Sequence, residues 1–201
     1  MNKNITTFDN WAKIDKDEKM AKGHLPAVNY MLDSIKEKFD KNFDFIDIGC
    51  GNGWVVRKIS KYNNASYLLG IDGAPNMINK ALSYELGTFE LSDIETYNFK
   101  QKFDIIFSME TFYYFKNINA VLKNIYLNGM KDNAKIIIGI DHYKENKPSL
   151  SWDKDYDLEL NTLSAKEWIN KFKEHGFTNV QHSIFNPSSN WNGTLVISAN
   201  K

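Results

Sequence analysis

The chain has 201 residues, 42% of them hydrophobic and 25% charged, a composition typical of a globular protein with a full hydrophobic core. Its 25 basic and 25 acidic side chains cancel, which disfavours binding to a nucleic-acid backbone because such proteins carry a basic excess. The apolar runs are too short to span a bilayer, residues 1–13 lack the apolar core of a signal peptide, and the single cysteine, Cys50, excludes a disulfide framework, so a cytoplasmic location is expected.

The first segment, residues 1–24, is predicted to be a mobile or partly helical arm. Pro26 occupies a plausible first helical position. Behind it, apolar residues at positions 28, 31, 32, 35 and 39 repeat at three- and four-residue spacing, which predicts an amphipathic helix.

Short apolar strands then alternate with helices. Strands are predicted over residues 43–48, 66–72, 88–93, 103–108 and 134–141, and helices over 54–62, 74–85 and 117–129. Because the strands are almost wholly apolar, this alternation predicts a parallel sheet covered by helices on both faces.

The pattern changes after the fifth strand. Residues 142–163 are polar, lack periodicity and exceed an ordinary connection in length, which predicts an insertion. A helix follows over 164–176, opened by Ser164 and Glu167 at capping-box spacing. The last two strands, 177–185 and 193–200, are joined by too few residues for a crossover helix, so they form an antiparallel hairpin. The expected fold is a single α/β domain over residues 1–201, with a doubly wound, mostly parallel seven-stranded sheet and an antiparallel C-terminal hairpin strand.

Three alternating glycines, Gly49, Gly51 and Gly53, stand where the first strand ends and a helix begins. Backbone amides approach a ligand closely only where no Cβ intervenes, and amides at a helix start are free donors. The segment therefore predicts a cofactor cradle, with a glycine-rich turn that binds nothing as the alternative. Trp54 and Val55 follow Gly53, which excludes a phosphate-binding P-loop, and Trp54 also weakens the dinucleotide fingerprint, which needs a glycine at that position.

Carboxylates follow the next two strands. Asp72 lies nineteen residues beyond Gly53, where an acid can accept both hydroxyls of a ribose. It could instead cap the helix that begins near Pro75. Asp93 and Ile94 follow the third strand and could address the amino group and face of an adenine, or Asp93 could be a simple turn residue.

Together these motifs resemble the class I S-adenosylmethionine-dependent methyltransferases. "FDFIDIGCGNG" resembles the family's first motif, "GIDGAPNMINKA" its second-strand acid and following helix, "SDIE" its adenine-side motif, and "KFDIIFSMETFYYF" its fourth-strand motif. The resemblance covers residues 43–140. It implies a Rossmann-like methyltransferase fold, S-adenosyl-L-methionine as cofactor, and methyl transfer to a small-molecule acceptor by in-line displacement.

The resemblance also implies which residues hold the cofactor. It assigns the methionyl part to Asp47 and the three glycines, the ribose to Asp72, and the adenine to Asp93 and Ile94. The same motifs place further residues at the cofactor: Cys50, Gly73, Met77, Ser108 and Met109.

Catalytic candidates follow from the carboxyl edge of the sheet, where the active face of such a topology lies. Glu110 follows the fourth strand and could attract the sulfonium, orient a substrate amine, or pair with the arm. His142 follows the fifth strand and His24 closes the arm, which in similar enzymes folds over the cofactor. Either histidine could be a base near neutral pH, or a loop hydrogen-bonder.

Aromatic and sulfur-containing side chains near this edge are expected to contact the acceptor, because ring faces can hold a cation or a planar group. A core position is the alternative for at least one of the rings. The candidates are Trp11, Met20, Phe112, Tyr113, Tyr114 and Trp152. Residues 1–24 would act as a lid arm and residues 142–163 as an active-site insertion that encloses the acceptor.

Missing motifs narrow the acceptor. No Asn/Asp-Pro-Pro-Tyr/Phe motif follows the fourth strand, Cys50 is confined to the glycine turn, and no metal-ligand cluster is apparent, so no metal is predicted. A small molecule is the best remaining acceptor class. The alternatives are a dinucleotide-dependent oxidoreductase, a non-catalytic cofactor-binding module, and a methyltransferase that acts on protein or tRNA. The acceptor's identity and the oligomeric state stay open.

Overall fold

The computed structural model describes residues 2–201. Its strands are β1 (Phe43–Ile48), β2 (Ala65–Asp72), β3 (Thr88–Leu91), β4 (Phe103–Met109), β5 (Met130–Ile140), β6 (Thr178–Phe185) and β7 (Thr194–Asn200). They form one sheet in the order β3-β2-β1-β4-β5-β7-β6. Strands β1 to β5 are parallel, and β7 runs antiparallel to both β5 and β6. The predicted doubly wound sheet with its antiparallel C-terminal hairpin is confirmed.

Helices cover both faces of this sheet. They are α1 (Lys3–Lys13), α2 (Lys16–Asp33), α3 (Trp54–Ile59), α4 (Pro75–Leu82), α5 (Ile118–Asn124), α6 (Trp152–Asp155) and α7 (Ala165–Glu174). Successive strand residues point to opposite faces, so Phe45 joins one buried cluster with α2 to α4, while Ile46 joins the other with α5 and α7. None of these helices combines the length and the apolar character needed to cross a membrane.

The N-terminal segment departs from its prediction. Pro26 does not begin a helix but lies inside α2, which starts ten residues earlier at Lys16. Proline inside a helix removes one backbone hydrogen bond. Burial of Val28 and Met31 on the same helix offsets that cost, because each is completely removed from solvent.

The predicted capping box at the start of α7 is observed. The Ser164 hydroxyl accepts a hydrogen bond from the Glu167 amide at 3.2 Å, and the Glu167 carboxylate accepts one from the Ser164 amide at 2.7 Å. The predicted insertion, residues 142–163, contains a 3-10 turn over Lys147–Ser151 and the short helix α6. Because the sheet order reverses between β1 and β4, the carboxyl ends of these two strands open a crevice at the place where such sheets bind ligands.

Candidate active site

A cleft occupies this crevice. It encloses about 1010 Å³, including the solvent at its mouth. One wall is the glycine turn and the end of β2, the opposite wall is the end of β4, and α1 and α2 cover it from above. The volume is in the range of pockets that hold a cofactor-sized ligand.

Two glycines of the turn have different steric surroundings. Gly49, with φ +75°, has no room for a side chain because a Cβ would lie 2.1 Å from the Thr111 hydroxyl oxygen. Gly51, with φ +53°, differs, since a Cβ there would meet only the Met77 sulfur at 3.9 Å and would otherwise project into open space. The first glycine therefore permits close packing of the turn, and the second leaves bare backbone at the cleft.

The amides of this turn do not serve as the free donors that the sequence predicts. The amides of Gly49 and Cys50 donate to the Ile71 carbonyl at 2.8 and 3.0 Å, and the Gly51 amide donates to the Asp72 carboxylate at 2.9 Å. They are occupied because the turn is held against the end of β2. The turn therefore offers a ligand an open surface without side chains, in place of a set of donors.

Asp72 combines the two roles that the sequence left open. Its carboxylate accepts hydrogen bonds from the Gly51 amide and, at 2.8 Å, from the Ala74 amide immediately before α4, so it does organise the helix start. It also lines the cleft. Burial raises the pKa of this carboxyl, while the backbone hydrogen bonds lower it. Each carboxylate oxygen keeps lone-pair capacity for hydroxyl donors.

The residues that follow β3 likewise combine a structural role with a place in the cleft. Asp93 is a turn residue, because its carboxylate accepts a hydrogen bond from the Glu95 amide at 3.0 Å. The neighbouring Ile94 is buried and lines the cleft together with Asp93. An apolar face beside a carboxylate can accommodate a flat ring that carries an amino group.

Asp47 lies behind the turn and does not line the cleft. Burial raises the pKa of its carboxyl well above the usual value, and the nearby Asp72 raises it further. A buried acid beside another acid stays ionised only when a cation is close.

A strained residue, Glu110, ends β4. Its backbone is left-handed, with φ +59°, which is uncommon for a residue with a side chain. Its carboxylate accepts hydrogen bonds from the Tyr113 hydroxyl at 2.5 Å and from the Asp141 amide. Burial and the neighbouring Asp141 raise the pKa of Glu110 well above its usual range. The residue lines the cleft, so this acid faces whatever binds there.

His24 and Asp141 complete a cluster with Glu110. The His24 Nε2 lies 3.9 Å from an Asp141 carboxylate oxygen, and one candidate ligand atom from each of the three residues lies within 4.8 Å of the others. Burial lowers the pKa of His24 to about 4 and raises that of Asp141 to about 6. Asp141 was not predicted; its place at the end of β5, directly before His142, is the signal that could have identified it.

The structure corrects the prediction for His142. This histidine is 1% exposed and lies outside the cleft lining. One ring nitrogen lies 2.9 Å from the Ser149 carbonyl oxygen and the other lies 2.8 Å from the Thr162 hydroxyl. Because both nitrogens have partners within the insertion, His142 holds residues 142–163 together and is not placed to act as a base.

Other predicted residues also lie away from the cleft. The Ser108 hydroxyl donates to the Ile48 carbonyl at 2.7 Å and so ties β4 to β1. Phe112 is a core residue, as the alternative interpretation of the aromatic loop expected. Trp152 stacks on His142 with 6.1 Å between ring centroids. The predicted residues that do not line the cleft are Trp11, Asp47, Gly53, Ser108, Phe112, Tyr113, His142 and Trp152.

The remaining predicted residues are brought together around the cleft, which supports the ligand site that the sequence motifs predict at this edge of the sheet. They are Met20, His24, Gly49, Cys50, Gly51, Asp72, Gly73, Met77, Asp93, Ile94, Met109, Glu110 and Tyr114. Sequence reasoning missed several residues that line the same space: Asn4, Ile5, Phe8, Asp17, Asn52, Trp54, Thr111 and Phe115.

Buried polar contacts hold the arm over the cleft. Asp17 is 5% exposed and accepts hydrogen bonds from Asn52 of the glycine turn and from Lys80 of α4, each at 2.8 Å. Asn4 exchanges two hydrogen bonds with the backbone of Glu159, each also at 2.8 Å. The arm is thus attached to the glycine turn on one side and to the insertion on the other.

A lysine strengthens the second attachment. The Lys16 ammonium lies 3.3 Å from the Trp11 ring centroid and 4.4 Å from that of Tyr156, which belongs to the insertion. Cations are attracted to ring faces at such distances. Trp11 therefore contributes to the contact between arm and insertion.

Comparison with known proteins identifies the family. A family model described as "Methyltransferase domain" matches residues 39–182. The malonyl-[acyl-carrier protein] O-methyltransferase of Bacillus cereus is 29% identical over 125 residues, which cover 60% of this chain and 43% of that protein. The corresponding enzyme of Acetivibrio thermocellus is 24% identical over 177 residues, covering 82% and 59%. The chain spans about half the length of the curated relatives it matches.

Solved structures share the fold. A protein from Haloferax volcanii, solved in complex with the Trm112 methyltransferase activator, superposes with a TM-score of 0.79 at 21% identity, covering 96% of each chain. At these identities structural similarity establishes the fold, while the matched family model covers most of the chain. The protein is therefore a member of the methyltransferase domain family, with the fold of the class I S-adenosylmethionine-dependent methyltransferases.

Proposed function

We propose that this chain is an enzyme that transfers a methyl group from S-adenosylmethionine to a small-molecule acceptor. The observation that carries the proposal is the cleft itself. A bare glycine turn, a fixed carboxylate at Asp72 and an apolar face at Ile94 line its cofactor side, and the ionisable residues His24 and Glu110 line its far side.

The residues present fit this cofactor. Asp72 offers lone pairs to the ribose hydroxyls, Ile94 and Asp93 offer an apolar face and an acceptor to the adenine, and the space at Gly51 would be filled by any Cβ. Asp47 lies behind the glycine turn and does not line the cleft, so no direct contact with the cofactor is proposed for it. S-adenosylmethionine supplies, when bound, a methyl group on a positively charged sulfur that a nucleophile takes by in-line displacement, with the electron pair of the broken bond left on sulfur.

The arm, residues 1–24, and the insertion, residues 142–163, would enclose the reactants within the single domain of residues 1–201. The buried pair of Asp17 with Asn52 and the paired contacts of Asn4 with Glu159 support this role. Exclusion of water from the cleft strengthens the electrostatic interactions inside it.

A small acceptor is favoured because the far end of the cleft lies beneath the arm. The curated relatives are named for a substrate that is carried on a protein. We do not infer the same substrate for this chain, because it spans only about half of their length. Trp54 lines the cleft where a dinucleotide fingerprint would place glycine, which disfavours the oxidoreductase alternative. A cytoplasmic location stays a prediction, supported by the use of one unpaired, buried cysteine.

Calorimetry tests the cofactor assignment directly. We expect S-adenosylmethionine and S-adenosylhomocysteine to bind, and NAD and NADP not to bind. The Asp72→Asn variant retains the size of the side chain but gives up the charge, so it should bind S-adenosylhomocysteine about 10-fold or more weakly. Asp132→Asn, at an exposed position of β5, is the matched control. Binding of NAD or NADP without binding of either adenosyl compound would refute the proposal.

A further inference from the structure

Two members of an acceptor-rich cluster, His24 and Glu110, line the far side of the cleft, and the third, Asp141, lies next to them. Glu110 is 9% exposed and Asp141 is 6% exposed, and both stand beside His24 on the covering helix α2. Candidate ligand atoms of all three lie within 4.8 Å of one another. Since a hydrogen bond places a donor nitrogen about 2.8 to 3.0 Å from its acceptor, one ammonium group can reach all three atoms at this spacing.

One buried oxygen of the cluster is not satisfied by the protein. The Asp141 Oδ1 is buried and has no hydrogen-bond partner within residues 2–201. A buried carboxylate oxygen without a donor is costly, and such atoms are rare in native proteins. The other oxygen, Oδ2, is the one that lies 3.9 Å from the His24 Nε2, so the Asp141 carboxylate keeps acceptor capacity beside the cluster.

We propose that His24, Glu110 and Asp141 bind the protonated nitrogen of the acceptor, so that the enzyme methylates a primary or secondary amine. This inference rests on the proposed methyltransferase function and adds the substrate class. The site accepts hydrogen bonds and offers negative charge, which is the complement of an ammonium group.

Charge excludes the opposite class of acceptor. A carboxylate acceptor would add a negative charge beside two buried acids. Burial raises the pKa of both Glu110 and Asp141, and the neighbouring Asp141 raises that of Glu110 further, so the site disfavours its existing negative charges. An ammonium group reverses this effect, because an opposite charge within a few ångströms stabilises both carboxylates.

Rings next to the cluster favour an alkylammonium over a bare metal ion. Tyr114 and Phe115 line the cleft beside Glu110, and the Tyr114 hydroxyl donates to Tyr113, whose hydroxyl in turn donates to Glu110. Ring faces attract the positively polarised carbons next to an ammonium nitrogen. A metal ion would instead require bonds of about 2.1 Å and further ligands in the same space.

The cluster also provides an acceptor for the proton that an ammonium group must lose before its nitrogen can attack. The Asp141 carboxylate accepts that proton, and the nitrogen keeps the lone pair with which it attacks. The proton then passes to water. His24, whose pKa of about 4 keeps it neutral near pH 7, orients the nitrogen by accepting a hydrogen bond.

The test compares probes that differ in charge. Binding of methylamine and benzylamine is measured by calorimetry and by thermal shift, against benzyl alcohol and benzoate, with and without saturating S-adenosylhomocysteine. We expect an amine to bind and benzoate not to bind. Asp141→Asn and Glu110→Gln should weaken amine binding about 10-fold or more while S-adenosylhomocysteine binding changes less than about twofold. Asp132→Asn, far from the cleft, should change neither.

Each other outcome overturns the inference in a recognisable way. Equal binding of benzyl alcohol or benzoate, or no binding of either amine up to about 10 mM, excludes an ammonium site. Tight binding of Mn²⁺ or Zn²⁺ that Asp141→Asn abolishes identifies a metal site instead. Weaker S-adenosylhomocysteine binding in Asp141→Asn would mean that the cluster holds the cofactor's own amine. Failure of S-adenosylhomocysteine to bind any form would refute the proposed function instead, and amine binding that Asp141→Asn weakens would in that case still support the ammonium site.

Discussion

At the scale of single residues, the cluster at the far side of the cleft is poorly arranged for stability. Asp141 is buried with one oxygen that has no hydrogen-bond partner among residues 2–201, and Glu110 has a left-handed backbone beside it. Residues that cost stability without an evident structural benefit are concentrated in functional sites. Removing the charge of such a residue should therefore make the folded protein more stable.

We expect Asp141→Asn to increase the free energy of unfolding. The pKa of Asp141 is raised from 3.8 to about 6 by burial, so the folded protein binds this proton more tightly than the unfolded chain does. The ionised form therefore destabilises the fold, an effect that is absent below about pH 4 and complete above about pH 7. Denaturant unfolding should show a gain of about 1 to 3 kcal/mol near pH 8 and almost none near pH 4. A gain that does not depend on pH would contradict this account.

Alanine substitutions at two glycines of the turn provide a matched pair of variants. Gly49→Ala places a Cβ against Thr111 at 2.1 Å, so we expect it to cost about 2 to 4 kcal/mol of stability. Gly51→Ala has room for its Cβ and should cost only about 1 kcal/mol, from its positive φ.

The same pair separates packing from ligand binding. Because the added methyl group at position 51 projects into the cleft, Gly51→Ala should lose about 10-fold or more in S-adenosylhomocysteine affinity despite its small effect on folding. Chemical denaturation and calorimetry measure the two effects independently. If Gly51→Ala bound the compound as tightly as the original protein, the bare surface of the turn would not be the cofactor contact.

At the scale of elements, the arm is held by a few polar contacts whose contributions to stability depend on how deeply they are buried. Lys80 contacts both Asp17, whose side chain is 4% exposed, and Asp15, whose side chain is 77% exposed. Exposed ion pairs contribute little, whereas breaking a buried pair leaves a desolvated group without a partner. The attachment of the arm should therefore depend on Asp17 and not on Asp15.

Hydrogen exchange can measure this difference. We expect Asp17→Asn to weaken the hold on Asn52 and Lys80 and to reduce protection of amides in α1 and the first turns of α2 by about 10-fold, with the sheet unaffected. Asp15→Asn, which contacts the same lysine from an exposed position, should leave protection nearly unchanged. Equal effects of the two variants would mean that burial does not determine how the arm is attached.

At the scale of the whole molecule, local sequence patterns were sufficient to predict the sheet. Strands β1, β2, β4 and β5 are buried over much of their length, so their apolar runs were recognisable without knowledge of their neighbours, whereas the edge strand β3 is only partly buried. The eight residues between β6 and β7 are too few for a crossover helix, so a hairpin was the only possible connection. The cofactor side of the cleft was predictable for a similar reason, since Gly51, Asp72 and Ile94 belong to motifs continuous in the chain.

The far side of the cleft was less predictable because it is assembled from distant segments. His24, Glu110 and Asp141 come from α2, the end of β4 and the end of β5. No local pattern distinguishes a buried aspartate from a solvated one, so Asp141 and Asp17 were missed. His142 seemed equivalent to His24 in sequence, and only the tertiary contacts of its two ring nitrogens show that it is structural.

The proline within α2 has a consequence for how ligands reach the cleft. Residues 20 and 24 of this helix line the cleft, whereas Val28 and Met31 are fixed in the core, and Pro26 lies between the two halves. Proline has no amide hydrogen, so the carbonyl of Lys22 loses its partner in the next turn. One backbone hydrogen bond is therefore missing at the boundary between the half of α2 that covers the cleft and the half that is anchored in the core. Bending the helix at this point to admit a ligand would break one hydrogen bond fewer than in an uninterrupted helix, and it would leave the core contacts of Val28 and Met31 intact.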